Sequence, residues 1–194
     1  MRYDTGHKER TRERILDEAA RAIRDEGPHQ IAVAGLMARA GLTHGGFYAH
    51  FPSKDALVAA AITRMFDEVG DKLGREIEGR SPAEGLRNYI NFYVSRSHRE
   101  NRATGCPLPA LSADLPRLTD EARAAFGEGL AKLTDRVEAI LTAMGRKDAA
   151  TEASSMISEM MGAIALARAT ADETQSDAIL LRTRHSLRQR FGVE

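Results

Sequence analysis

The chain has 194 residues, 28 basic and 28 acidic, with 42% hydrophobic residues, no Trp and a single Cys. That length can bury a real core, in one domain plus a small appended one. One cysteine excludes an internal disulfide framework, and no apolar stretch approaches the roughly 20 residues that a membrane helix needs. With no overall basic excess, a nucleic-acid binder of this composition must concentrate its positive potential locally. The opening MRYDTGHKERTRERI is too charged to hold the apolar middle of a secretory signal, so a cytoplasmic location is expected.

Breakers and caps divide the chain into helices. The first is predicted over about Lys8 to Asp25, with Ile15, Leu16, Ala19, Ala20 and Ile23 on one face, and Gly27-Pro28 ends it. A second short helix covers about Ala32 to Ala40. Gly41 suits the positive-φ position of a tight turn, and Thr43 is a plausible N-cap for a third short helix ending near Phe51-Pro52. Ser53 then caps a long helix with the stripe Leu57, Val58, Ala61, Ile62, Met65, Val69, Leu73 and Ile77. Ser81-Pro82 opens the next, with Pro at the first helical position. Gly105 to Pro116 carries three prolines and reads as a broken connector. Thr119 caps a helix that Gly145 stops, and two more follow, about Asp148 to Ala171 and Ser176 to Arg190. Nothing alternates at period two over a useful length, so the fold class is all-α. The expected division is residues 1–52, a three-helix bundle with a helix-turn-helix at about 31–50, and residues 53–194, a ligand-binding and dimerisation domain.

From Gly27 to Lys54 there is not one carboxylate, where 28 acids in 194 residues would put about four. The stretch holds Arg39, Lys54, His29, His44 and His50. It is either a neutral packing segment or a surface cleared of anything that repels phosphate. Two short helices joined through a glycine turn suit a unit that inserts its second helix into the DNA major groove. On a helical wheel Phe47 and Phe51 point inward, against Leu36, Ala40, Leu42 and Ile15. The opposite face is Gly45, Gly46 and Ala49, flanked by Tyr48 and His50. Two adjacent glycines cost a helix about 2 kcal/mol relative to alanine, which makes sense where the backbone must approach something closely. Tyr48, His50 and Lys54 then donate to phosphates, while Thr43 and His44 are placed for phosphate or base-edge contacts. Taken singly, each of these residues has an ordinary packing or solvated role; their combination favours DNA.

The run AGLTHGGFYAHFPSKDALVAAAI, Ala40 to Ile62, resembles the signature of the tetracycline-repressor (TetR) family, and the likeness is close from about Lys8 to Thr63. It implies a three-helix DNA-binding domain, a ligand-binding helical domain and a homodimer that represses transcription from a palindromic operator until a small effector releases it. Ala32, Gly35 and Met37 depart from the usual pattern and bear on how the second helix meets DNA.

Beyond Thr63 the likeness is architectural. A pocket among the middle helices is expected to draw on Met65, Phe66, Tyr89, Phe92, Tyr93, Cys106, Phe126 and Met160, with Asn91 or His98 as polar groups; each also fits plain core packing. The small-residue, Met-rich run Ser154 to Ala169 and the run Ser176 to Phe191 fit half of an intersubunit four-helix bundle, with Met156, Ile157, Met161, Ile164, Ala165, Ile179 and Leu187 at the interface; the alternative is intramolecular core. Cys106 is either a small buried apolar residue or a thiol activated by Arg96, His98, Arg99 and Arg102, and a Gly-Cys segment here resembles family members that sense electrophiles or oxidants. An enzyme is the rival reading, because His98 and Cys106 lie close in sequence. No acid partner, oxyanion loop or phosphate cradle accompanies them, and no cofactor or metal site is expected. A helical interaction module without DNA affinity is the second rival.

Overall fold

The computed structural model describes residues 5–194; residues 1–4 of the expected first domain lie outside them. Among the described residues there is no strand, and no helix is long and apolar enough to cross a membrane. Helix α1 spans Thr5–Glu26 and α2 Val33–Arg39. The third short element is a 3-10 helix, His44–Ala49, where an α-helix from Thr43 is expected from sequence. Thr43 is extended at its N-cap position but makes no side-chain capping bond. Gly41 takes φ +70°, as the tight turn requires.

The long helices start where their caps are. For α3, Lys54–Ile77, the Ser53 side chain accepts from the Ala56 amide at 3.0 Å. For α4, Pro82–Tyr93, Ser81 and Glu84 form a reciprocal capping box behind Pro82. The connector folds into short turns: α5, Arg96–Glu100, a 3-10 turn at Arg102–Thr104, α6, Pro107–Leu111, and a second 3-10 turn at Leu115–Arg117. Helix α7 is Asp120–Ala143, capped by Thr119, and α8 is Ala149–Ala169. Helix α9 is Glu173–Phe191, opening three residues before the expected Ser176, because Asp172 caps it through the Gln175 amide at 2.8 Å. Ser176 is instead buried and donates to the Ala167 carbonyl at 2.7 Å, tying α9 to α8.

One core runs the length of the molecule. Ile15, Leu16, Ala19, Ala20 and Ile23 of α1 are buried, as are Phe47, Phe51 and Leu57 to Leu73 of the α3 stripe. Helix α3 packs against α1, α4 and α7, α7 against α8, and α8 against α9. The α3–α7 crossing is close enough that a Cβ on Gly129 would stand 2.2 Å from the Phe66 ring.

A strut joins the two ends. Arg24, near the end of α1 and 2% exposed, donates to Glu68 of α3 at 2.5 Å, to the Met65 carbonyl at 3.4 Å and to the Ala103 carbonyl at 3.3 Å. Arg102 returns the link, donating to the Asp25 carbonyl at 3.1 Å.

Candidate nucleic-acid interface and effector cavity

The first candidate site is the outer face of the 3-10 helix. Phe47 and Phe51 anchor it from inside, fully buried and stacked with centroids 5.9 Å apart. Thr43, His44, Gly45 and Ala49 are exposed, and Tyr48 is 68% exposed. A Cβ on Gly45 would meet nothing within 4 Å, whereas one on Gly46 would approach Met37 and Thr43. The bare face therefore centres on Gly45 and Tyr48, and Gly46 turns partly toward α2. The cause is the tighter 3-10 winding, about 120° per residue instead of 100°.

His50 is half-buried, and burial lowers its pKa, helped by Lys8, Arg12 and His7. With Arg12 over the Phe51 ring, the N-terminal part of α1 lies beside the 3-10 helix and adds basic groups to the same surface. Sequence reasoning missed them, although the run Lys8, Arg10, Arg12, Arg14 was the available signal. Arg12 lies over the Phe51 ring, and Arg14 donates to the Ala40 carbonyl, locking the α2 exit. Arg39 pairs with Glu26 at 2.9 Å, a carboxylate just outside the acid-free stretch. Lys54 opens α3 with its ammonium 3.4 Å from the His29 carbonyl.

The second candidate is a cavity of about 230 Å³ among α3, α4, α5 and the connector. Tyr89, Phe92, Tyr93 and Cys106 line it, with Lys72 and His98. Met65, Phe66 and Met160 are buried in the core outside that lining, and Phe126 packs edge-on against Phe66. Asn91 is not in the lining either. His98 is fixed from both sides. Its Nδ1 lies 2.7 Å from the Tyr93 carbonyl, and its Nε2 accepts from the Cys106 amide at 2.9 Å. Burial lowers its pKa to about 4. It is thus a neutral staple holding the cavity wall and not a free polar group for a ligand. The Tyr89 hydroxyl is buried without a hydrogen-bond partner, which costs about 1–3 kcal/mol while it stays so, whereas the Tyr93 hydroxyl and the Cys106 thiol interact.

The Cys106 thiol is 4% exposed, and burial pushes its pKa up; Tyr93, the Leu108 backbone, Arg24 and Arg168 pull the other way without reversing it. The activating cluster of Arg96, Arg99 and Arg102 does not form around it. Arg99 instead holds Ser176 and Asp177 of α9, and Arg102 holds α1.

On the C-terminal helices, Met156, Ile157, Ile164 and Leu187 are buried within the chain itself. They belong to the intramolecular core and not to an exposed face: α8 packs on α6 and α7, α9 on α4, and the two helices on each other. Met161, Ala165 and Ile179 are half-buried. Leu166 and Leu181, inside the two runs expected to form the bundle but not among the named interface residues, are 61% and 59% exposed on α8 and α9.

A family profile described as "Bacterial regulatory proteins, tetR family" matches residues 15–61, and one described as "Transcriptional regulator LmrA/YxaF-like, C-terminal domain" matches residues 82–179. Among curated relatives, the HTH-type transcriptional repressor KstR of Rhodococcus jostii (strain RHA1) is 29% identical over 67% of this chain and 58% of its own length. The HTH-type transcriptional regulator LmrA of Bacillus subtilis (strain 168) is 25% identical over 78% of this chain and 82% of its own. The fold is shared with a TetR transcriptional regulator from Chloroflexus aurantiacus J-10-FL, at TM-score 0.82, 22% identity and 97% coverage of both chains. It is also shared with the reduced form of NemR from E. coli, at TM-score 0.79, 19% identity and coverage of 93% and 97%.

Proposed function

This chain belongs to the TetR family of bacterial regulatory proteins, and from that premise we propose that it represses transcription as a homodimer bound to a palindromic operator, released by a small effector. The observation that carries the reading is the exposed face of the 3-10 helix: no carboxylate from Gly27 to Lys54, no side chain on Gly45, and Tyr48 standing 68% exposed beside it. Such a face lets the backbone come close to the groove while Thr43, His44, Tyr48, His50 and Lys54 reach phosphates and base edges. Arg39 serves the same surface through its charge, from a weak exposed pair with Glu26. Two copies related by a two-fold axis read half-sites about 34–36 Å apart.

An effector in the cavity acts on the segment that forms its wall. Cys106 is held by His98, and the adjoining turn is tied to α1 through Arg24–Ala103 and Arg102–Asp25. The other end of that segment is bolted to the C-terminal helices, since Arg168 donates to the His98 and Arg99 carbonyls at 2.8 and 3.1 Å. Occupancy of the cavity shifts the population toward dimers with the wrong half-site separation.

Selection of bound sequences from a random DNA pool tests this reading, with a palindrome as the expected result. Gly45→Glu should then abolish binding to the selected site, more than a hundredfold in a shift assay, with unchanged helicity. Gly46→Glu is a less clean variant, since its side chain meets Met37. Normal affinity of Gly45→Glu would remove this face from the groove.

A further inference from the structure

Resting on the reading of this half as the effector-binding half, we infer that the cavity takes a small one-ring aromatic carboxylate, its anionic group on Lys72 and its ring against the Phe92–Tyr93 wall. Size comes first. Pockets for drug-sized ligands run to roughly 300–1,000 Å³, and this cavity holds about 230 Å³, which suits a single substituted ring better than a fused or two-ring system. The walls are aromatic: Phe92 is 38% exposed at the cavity and lies parallel to the His98 ring, with Tyr93 edge-on to the same imidazole at 4.6 Å.

Charge then selects the substituent. Among the described residues no carboxylate lines the cavity, and Lys72 does. The Lys72 ammonium donates to the Thr104 carbonyl and makes no ion pair among the described residues. The carboxylate that acts on it, Glu68, is engaged by Arg24 at 2.5 Å. Arg24 and Arg168 add positive potential from behind, and with Lys72 they all disfavour a charge on His98. Burial lowers the pKa of Lys72 from its ordinary value, as happens to a cation short of counter-charge. A neutral ligand leaves that deficit standing; a monoanion removes it. The buried hydroxyl of Tyr89, a residue that lines the cavity, completes the selection. It has no hydrogen-bond partner among the described residues, and an oxygen acceptor on the ligand supplies what it lacks.

The test is calorimetric titration of the full-length protein at pH 7, without DNA, using benzoate, its neutral isostere benzamide and the non-aromatic cyclohexanecarboxylate as probes. Benzoate is expected to bind saturably, one per chain, and each of the other two at least tenfold more weakly. Lys72→Met should bring benzoate down to the level of benzamide, while Lys72→Arg keeps it within a few-fold. The inference is overturned by benzamide or cyclohexanecarboxylate binding as well as benzoate, by Lys72→Met binding benzoate like the wild type, or by no saturable benzoate binding at millimolar concentration. If Lys72→Met fails to fold by circular dichroism, the comparison of benzoate with benzamide on the wild type decides alone. Because DNA is absent, a failed operator selection with intact benzoate binding would remove the repressor reading only, and the converse would remove only the ligand class.

Discussion

His98 is held neutral by a geometry that has no room for a second proton. Its Nδ1 serves the Tyr93 carbonyl, so Nε2 must stay an acceptor for the Cys106 amide; protonating it would set two N–H donors against each other. With a folded pKa of about 4 against 6.5 for the ordinary imidazole, the unfolded chain takes up the proton first as pH falls. The stability tied to the neutral form is complete above about pH 6.5, declines between 6.5 and 4 and is constant below. The span corresponds to something on the order of 3 kcal/mol. Urea unfolding of wild type and His98→Gln across this range should show the gap between them closing as pH drops; parallel curves would mean that His98 does not titrate in this way. Its neighbour Cys106 gives the opposite expectation to a redox or electrophile sensor. A buried thiol with a raised pKa offers little thiolate to attack an electrophile. After N-ethylmaleimide treatment, wild type and Cys106→Ser should bind DNA alike. Selective loss in the wild type would show that the cavity opens enough to admit the reagent.

Helices α8 and α9 carry apolar residues on two faces, and only one of those faces is used inside the chain. Met156, Ile157, Met160 and Ile164 are spent on the core, while Leu166 and Leu181 stand out with small neighbours such as Ala165 and Gly162 beside them. Leu166 and Leu181 stand on two helices that pack on each other; exposed large apolar side chains on such a pair mark an interaction surface, and a second copy of the chain is the partner that the proposed function requires. Leu181→Arg and Ala165→Arg should each drive the protein to monomers in sedimentation velocity without loss of helicity, because a buried unpaired charge costs several kcal/mol. A dimer unaltered by either would place the interface elsewhere. These helices also show what the sequence could and could not convey. Caps at Ser53, Ser81 and Thr119, and the stripes of α1 and α3, are local signals, and the structure places those elements within a few residues of the expected bounds. The core face of α8 could not be told from its outer face, because small residues and Met lie on both. The 3-10 winding of His44–Ala49 was equally hidden: the inward Phe47 and Phe51 fit either helix type, but the outward residue shifts from Gly46 toward Gly45. In the cavity, Tyr89 and Tyr93 lie four residues apart on α4, whereas Lys72 joins them only through packing between α3 and α4.

At the scale of the molecule, the expected boundary between residues 52 and 53 falls just before α3, the helix that both halves share. Leu57, Val58 and Ala61 sit in its first part, and Met65, Phe66, Val69 and Leu73 carry the same buried stripe onward, while α1 and α7 both pack on the helix. With no gap in the core between the halves, thermal unfolding should be a single transition, with calorimetric and van't Hoff enthalpies equal. Two resolved transitions would show that the halves melt separately. The Arg24 strut has a further consequence for anyone who would exchange reading heads between relatives. A graft that ends at residue 52 strips α1 of the helix its apolar face is packed on. It also hands Arg24, 2% exposed, to a foreign helix that need not offer a carboxylate where Glu68 stands. The transplantable unit is therefore longer than the DNA-reading motif: it must carry α3 at least through Glu68, and the recipient must present a backbone carbonyl where Ala103 does.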